Sequence, residues 1–329
     1  MINMKQLLNT LSIVALLGLG ACSQAESPLD GSNEEVKVTF TAQLPQQAAT
    51  RATGDGSGVD TLYCAVYQKT GESTYTFIKG EEGIKADNGF TYEPILLKNQ
   101  TYKVAFWAMK SGSYTIDKND NLQNIAISST CNSDTADAFT GVSNDVVAGG
   151  TEPIAVELKR PFAQLNFFTT ASDIANAKTL ASLGEDATLQ STISLSSTEE
   201  IFYTAYNAWL QEGTGAATKS IECTTATNAT LSEETISSET YKNLGYTYVL
   251  PIGDSELAKA TLKVSSANKE VTYLEVNNVP LKRNQRTNVY GTLLTGTVKY
   301  TVSVSADWTT DGDINKTPEE LNNSQNADN

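Results

Sequence analysis

Apolar and polar residues alternate in short runs along most of this chain, the period expected of strands with one buried face. The first run sets Val36, Val38, Phe40, Ala42 and Leu44 against Lys37, Thr39, Thr41 and Gln43. In a second, Leu62, Cys64 and Val66 share one face, with Tyr63, Ala65 and Tyr67 on the other. Tyr102, Val104, Phe106 and Ala108 repeat the pattern, and Ile154, Val156 and Leu158 end this first set. A second set opens with Ala163, Leu165 and Phe167, and strands are expected again at Tyr246–Leu250, Ala260–Val264, Val271–Val276 and Asn288–Leu294. The cleanest alternation is the last: Val298, Tyr300, Val302, Val304, Ala306 and Trp308 against Lys299, Thr301, Ser303, Ser305 and Asp307.

Helical spacing is expected over Ser172–Leu183, where Ile174, Ala177 and Leu180 recur and Ser172 or Asp173 would cap the start. Clusters of Gly, Asn and Asp between the runs mark turns. Many short strands and almost no helix predict an all-β protein of two tandem β-sandwich domains. The divisions expected are a leader over 1–21, a tether over 22–35, an N-terminal sandwich over 36–159, a C-terminal sandwich over 160–308, and a polar, flexible tail over 309–329.

The leader has Lys5 in a short n-region and an apolar run from Leu7 to Leu19, too short for a permanent membrane span of roughly 20 residues. Leu19-Gly20-Ala21-Cys22 follows and reads as a lipobox, with Cys22 as the lipidated residue and thus the membrane attachment. The implied address is the outer membrane and then the cell surface. If Cys22 is so used, Cys64, Cys131 and Cys223 remain, so the expectation is buried free thiols rather than a disulfide framework.

Composition narrows the chemistry. The chain of 329 residues is 40% hydrophobic, 19% charged and carries a formal net charge of −15, which disfavours nucleic acid and electrostatic docking on anionic lipid. Histidine is absent, removing the commonest general base and metal ligand. The acidic pairs Glu81-Glu82, Glu199-Glu200 and Glu233-Glu234 are expected at solvated turns or on opposite strand faces. No motif for a nucleophile, a phosphate loop or a zinc site is present. The reading is a protein that is not an enzyme and has no cofactor, metal or catalytic residue.

One arrangement suggests a function. The Val36–Leu44 run lies between Cys22 and Arg51, and Arg51 sits in the polar loop Ala48-Ala49-Thr50-Arg51-Ala52-Thr53. Cleavage between Arg51 and Ala52 by an arginine-specific surface protease would remove anchor and strand together. The sheet left behind would offer unpaired backbone groups and an apolar groove to another chain's strand. The run Val298–Trp308 is the candidate donor, roughly 36 Å long at about 3.3 Å per residue, and head-to-tail repetition gives a filament.

The chain resembles the fimbrillin family, the type V pilins of Bacteroides-type bacteria. The resemblance is carried by the lipobox, Thr50-Arg51-Ala52-Thr53, Arg160-Pro161-Phe162-Ala163-Gln164-Leu165-Asn166-Phe167, and Val279-Pro280-Leu281-Lys282-Arg283-Asn284-Gln285-Arg286-Thr287-Asn288-Val289-Tyr290-Gly291. It implies two transthyretin-like Greek-key sandwiches, lipoprotein export, arginine-specific processing and polymerisation by strand exchange. The partners implied are other pilin subunits, the membrane through the lipid, the surface protease, and a host or glycan ligand. A competing expectation is a lipid-anchored glycan-binding protein of a polysaccharide-uptake system, using exposed Trp107 or Trp209 as a stacking platform.

Overall fold

The computed structural model describes residues 34–45, 56, 58–87, 89–127, 133–224, 231–253, 255–267, 269–296, 298–305 and 314–316. Cys22, Arg51, Ala52, Cys131, Ala306 and Trp308, the leader 1–21 and most of the expected tether and tail lie outside them.

The first half contributes β1 (Glu35–Lys37), β2 (Phe40–Gln43), β3 (Thr61–Lys69), β4 (Tyr75–Glu82), β5 (Ile84–Ala86), β6 (Gly89–Tyr92), β7 (Ile95–Leu97), β8 (Thr101–Met109), β9 (Ile125–Ala126), β10 (Ala138–Val142), β11 (Val146–Val147) and β12 (Ile154–Glu157). One sheet runs β12-β2-β6-β5; the facing sheet runs β10-β8-β3-β4, with β11 also on β8. Side chains such as Phe40, Leu62, Val66, Phe90, Val104 and Phe106 fill the space between them. Alternation along each strand sends these inward and the Lys, Thr and Glu between them outward.

The second half supplies β13 (Ala163–Thr169), α1 (Ala171–Leu180), β14 (Gln190–Ser196), β15 (Phe202–Asn207), β16 (Glu212–Thr218), β17 (Ser220–Thr224), β18 (Glu233–Ile236), β19 (Glu239–Val249), β20 (Ser255–Ser266), β21 (Lys269–Lys282), β22 (Arg286–Thr292), β23 (Lys299–Ser305) and β24 (Ile314–Lys316). Sheets β18-β19-β13-β22-β23-β24 and β17-β14-β20-β21 enclose a second core that includes Leu165, Phe167, Leu262, Val276, Val289 and Val302. The all-β sandwich fold is therefore as the alternation predicts.

A third sheet, β16-β15-β9, joins the halves through the pairs Ala205↔Ala126 and Tyr206↔Ile125. A third core lies along this seam, with Trp107, Met109 and Ile125 from one half and Phe162, Tyr206 and Tyr248 from the other.

Four local expectations need correction. The run Val36–Leu44 is two strands, because Val38 N–H donates to the Pro94 carbonyl. Pro94 has no N–H to continue a ladder, so the pairing segment also breaks there, into β6 and β7. The cap of α1 is Thr170, which accepts from Asp173 N–H, rather than Ser172 or Asp173. Within the expected tail, Ile314–Lys316 forms β24 against β23. Cys64 is a buried free thiol as expected, but Cys223 is disulfide-bonded.

Candidate functional site

Among the described residues β2 is built into the middle of its sheet, while β1 pairs with β7 alone. Two threonines, Thr39 and Thr41, separate the inward Val38, Phe40 and Ala42, and all three apolar side chains are at most 2% exposed. Val36 and Leu44 extend the same face and pack against the core while half-buried. Outward Lys37 pairs with Glu93 at 2.9 Å, and the Thr39 hydroxyl donates to the same carboxylate at 3.3 Å. Both contacts are solvent-exposed and add little.

On one side β2 pairs antiparallel with β6, Phe40↔Tyr92 through Gln43↔Gly89. On the other it pairs in parallel with β12, Ile154↔Phe40 through Glu157↔Gln43. The parallel ladder is lengthened by Ile154 N–H on the Thr39 carbonyl at 2.8 Å and Leu158 N–H on the Gln43 carbonyl at 2.9 Å. Among the described residues β2 is the one strand with which β12 forms a ladder, whereas β6 is also held by β5. Removing β2 would leave a slot with one firm wall and one dependent wall.

The floor of that slot is aromatic. The Phe40 ring lies 6.2 Å from Tyr92 and 5.9 Å from Phe106, centroid to centroid. Tyr92 is fixed in turn by its hydroxyl donating to Glu81 at 2.6 Å, and burial with that carboxylate drives its pKa far above the ordinary phenol range. At the far end Gly89 has φ +144°, and a Cβ there would stand 2.2 Å from the Ala42 carbonyl oxygen. Only glycine permits the two strands to approach so closely.

Downstream of β2 the chain is described to Pro45 and again at Gly56, so Arg51 and Ala52 lie outside the described residues. Gly56 is anchored: φ is +71°, and an added Cβ would meet the Phe139 ring at 2.8 Å. Phe139 carries the Arg160 guanidinium 4.2 Å above its ring, and Arg160 grips Asp137 in a buried two-point ion pair at 2.7 and 2.8 Å. The segment bearing Arg51 thus runs from the end of a core strand to a fixed point.

The candidate donor stands in a different setting. Its Lys299–Ser305 portion is β23, paired with β22 on one side and β24 on the other, with Val302 and Val304 buried and Tyr300 packed against the core. Val298 lies at the exposed start of the run. The structure therefore places the Lys299–Ser305 part of the run inside a sheet.

The stacking platform is not formed. Trp107 is 0% exposed and meets Tyr114, Phe162 and Tyr206 in the seam. Trp209 has one ring face covered by Tyr67 at 4.0 Å and its neighbourhood closed by Tyr75 at 5.2 Å. Tyr273 is the one aromatic residue among the described residues that is largely exposed.

The acidic pairs do not converge either. Glu81 faces Lys79 and Tyr92, while Glu82 faces Lys118. Glu234 departs from the expected solvated position: it is buried against Arg286, whereas Glu233 pairs with Lys242 at the surface. The fimbrillin-like motifs acquire physical roles here. Arg160 N–H donates to Asn284 Oδ1 at 3.0 Å, and Asn284, at φ +56°, donates its own N–H to the Phe162 carbonyl at 2.8 Å. The two motifs clasp each other at the junction of the halves, a pairing that sequence spacing did not reveal.

The model of a family of unknown function, DUF6562, matches residues 30–326. No curated protein matches the chain. Similar solved structures include a Bacteroides uniformis protein assigned to cell adhesion, at 14% identity and TM-score 0.46, covering 83% of this chain and 98% of that one. A fimbrial assembly protein of Parabacteroides distasonis is similar at 12% identity and TM-score 0.42, over 82% and 96%. The fimbrial anchor protein Mfa2 of Porphyromonas gingivalis is similar at 11% identity and TM-score 0.39, over 82% and 98%.

Proposed function

We propose that this chain, which belongs to the family of unknown function DUF6562, is a non-catalytic fimbrial subunit of the cell surface whose segment with β1 and β2 is a removable plug. It is exported as a lipoprotein acylated on Cys22, is cut between Arg51 and Ala52 by an arginine-specific protease, and then receives a strand from another subunit in the place of β2. One observation carries the reading: β2 is a short strand that buries Phe40 and Ala42 and is hydrogen-bonded on both sides, and the chain leads from it into the rest of the sandwich through the 46–55 segment containing Arg51.

Two bonded edges and an apolar floor make a complete acceptor, since main-chain hydrogen bonds supply affinity and alternate pockets supply selectivity. The donor half of the scheme fits this fold less readily. For a second copy to give up Val298–Trp308, its own sheet would have to open between β22 and β24 and uncover Val302 and Val304, at about 1.5–3 kcal/mol for each side chain. A subunit that accepts a strand, and takes its donor from a differently built partner, agrees better with that geometry.

Brief trypsin treatment of the purified mature protein tests the reading. The expected result is a cut after Arg51, loss of the 22–51 fragment on sizing under native conditions, and growth of detergent-resistant multimers once a donor subunit is added. A cut protein that keeps its fragment and stays monomeric with every donor would refute it. Cys22→Ser should release the precursor from membranes.

A further inference from the structure

We infer that the slot selects its incoming strand by an ordered pair of side chains: a large ring at the Phe40 position and an alanine-sized group two residues later, in the direction of β2. The inference rests on the plug reading above and adds the chemistry of the partner to it.

The first pocket is shaped for a ring. Phe40 is 0% exposed and bounded by Tyr92 and Phe106, and both of those are themselves buried. A smaller occupant would leave a void that rigid aromatic neighbours cannot close, which is the costly case for a cavity. The second pocket has no spare room. Ala42 lies directly between Phe90 on the antiparallel side and Val156 on the parallel side, all three buried. The close approach at Gly89 prevents the strand from backing away to admit a larger group. Large then small is a directional code, because a strand entering in reverse presents the two in the wrong order to the same pockets. One wall also reports occupancy, since the amides of Ile154 and Leu158 have their acceptors, the Thr39 and Gln43 carbonyls, on the strand that leaves.

The test uses the full-length mature protein cut with trypsin and freed of its own fragment, and a labelled peptide copying Glu34–Pro45. Three variants of the peptide are compared with it: Phe40→Ala, Ala42→Phe, and the doubly changed peptide in which ring and methyl are exchanged. The reference peptide should bind and restore slow hydrogen exchange at the Ile154 and Leu158 amides. Phe40→Ala and Ala42→Phe should each weaken binding roughly a hundredfold, and the exchanged peptide should restore no protection. If the reference protects both amides and all three variants bind within about threefold of it, the selection rule is wrong while the plug reading stands. If the reference neither binds nor protects those amides, the rule and the plug reading fall together.

Discussion

At the residue scale, Asp173 ties the helix to the far end of the sheet. Its carboxylate accepts from the Thr169 hydroxyl at 2.6 Å, from Leu293 and Leu294 N–H at 2.9 and 2.8 Å, and from the Thr295 hydroxyl at 2.5 Å. Asp173→Ala would strand two buried amides, so a loss of about 3–5 kcal/mol is expected in urea unfolding. Recovery of most of it by Asp173→Asn would argue that shape matters more than charge. The buried Glu234–Arg286 pair makes the complementary case. Arg286 is 0% exposed, with its guanidinium 5.5 Å from the Phe168 ring and two of its nitrogens, Nε and Nη1, without hydrogen-bond partners among the described residues. Glu234→Ala leaves that cation uncompensated and should cost about 3–5 kcal/mol, whereas Glu234→Leu with Arg286→Met should cost markedly less. Equal losses in the two proteins would show that packing, not charge pairing, sets the stability there. The sequence marks Arg286 only as part of a motif; that it is buried, and what it faces, depends on register across β18, β19, β13 and β22, which local spacing does not encode.

At the element scale, alternation was legible where it was made of large side chains. β3, β8, β13 and β23 stand where Leu, Val, Phe and Tyr recur at every second position. It failed over β14 to β18, where Gln190–Ser196 alternates only Ile193 and Leu195 among serines and threonines, and Glu212–Thr218 has no large apolar residue at all. Such strands are fixed by their neighbours: β14 is held by β17 and β20 on either side. The division of the first strand at Val38 was equally hidden, because its cause, Pro94, lies between the partner strands β6 and β7. That division has a consequence. β2 carries the largest core side chain of the segment, so Phe40→Ala should weaken the plug locally, by about 3–5 kcal/mol, and leave the second half untouched. In the uncut protein this should appear as faster hydrogen exchange confined to β2, β6 and β12 and as faster trypsin cleavage after Arg51. Unchanged cleavage kinetics would mean that the cut does not depend on opening of the strand.

At the scale of the whole molecule, the seam between the halves is rich in buried phenols. Tyr67 donates its hydroxyl to the Asn121 carbonyl at 2.5 Å and stacks on Trp209 from the other half. Tyr114 and Tyr246 bond to the short turn of the first half, at the Ala136 carbonyl and the Asp134 carboxylate. Burial drives all of these pKa values upward, Tyr67 to about 12, and the charge of Asp134 or Asp137 adds to the rise at Tyr114, Tyr246 and Tyr248. Below pH about 10 the phenols are neutral in folded and unfolded chains alike, and their packing contributes fully. Above it the unfolded chain ionises first, because its tyrosines keep their ordinary affinity for protons. Unfolding then releases protons, and stability must fall as pH rises from about 10 through about 12. Since these residues sit along the seam and not in either sandwich core, separation of the halves should precede melting of the sandwiches. Near-ultraviolet phenolate absorbance followed together with hydrogen exchange should show late, cooperative ionisation that coincides with deprotection of β9 and β15, while β2 and β22 stay protected. Loss of all four strands at one pH would instead mean that the halves and the seam unfold as a single unit, and in that case a subunit that loses its plug would be destabilised throughout its length and not only at the slot.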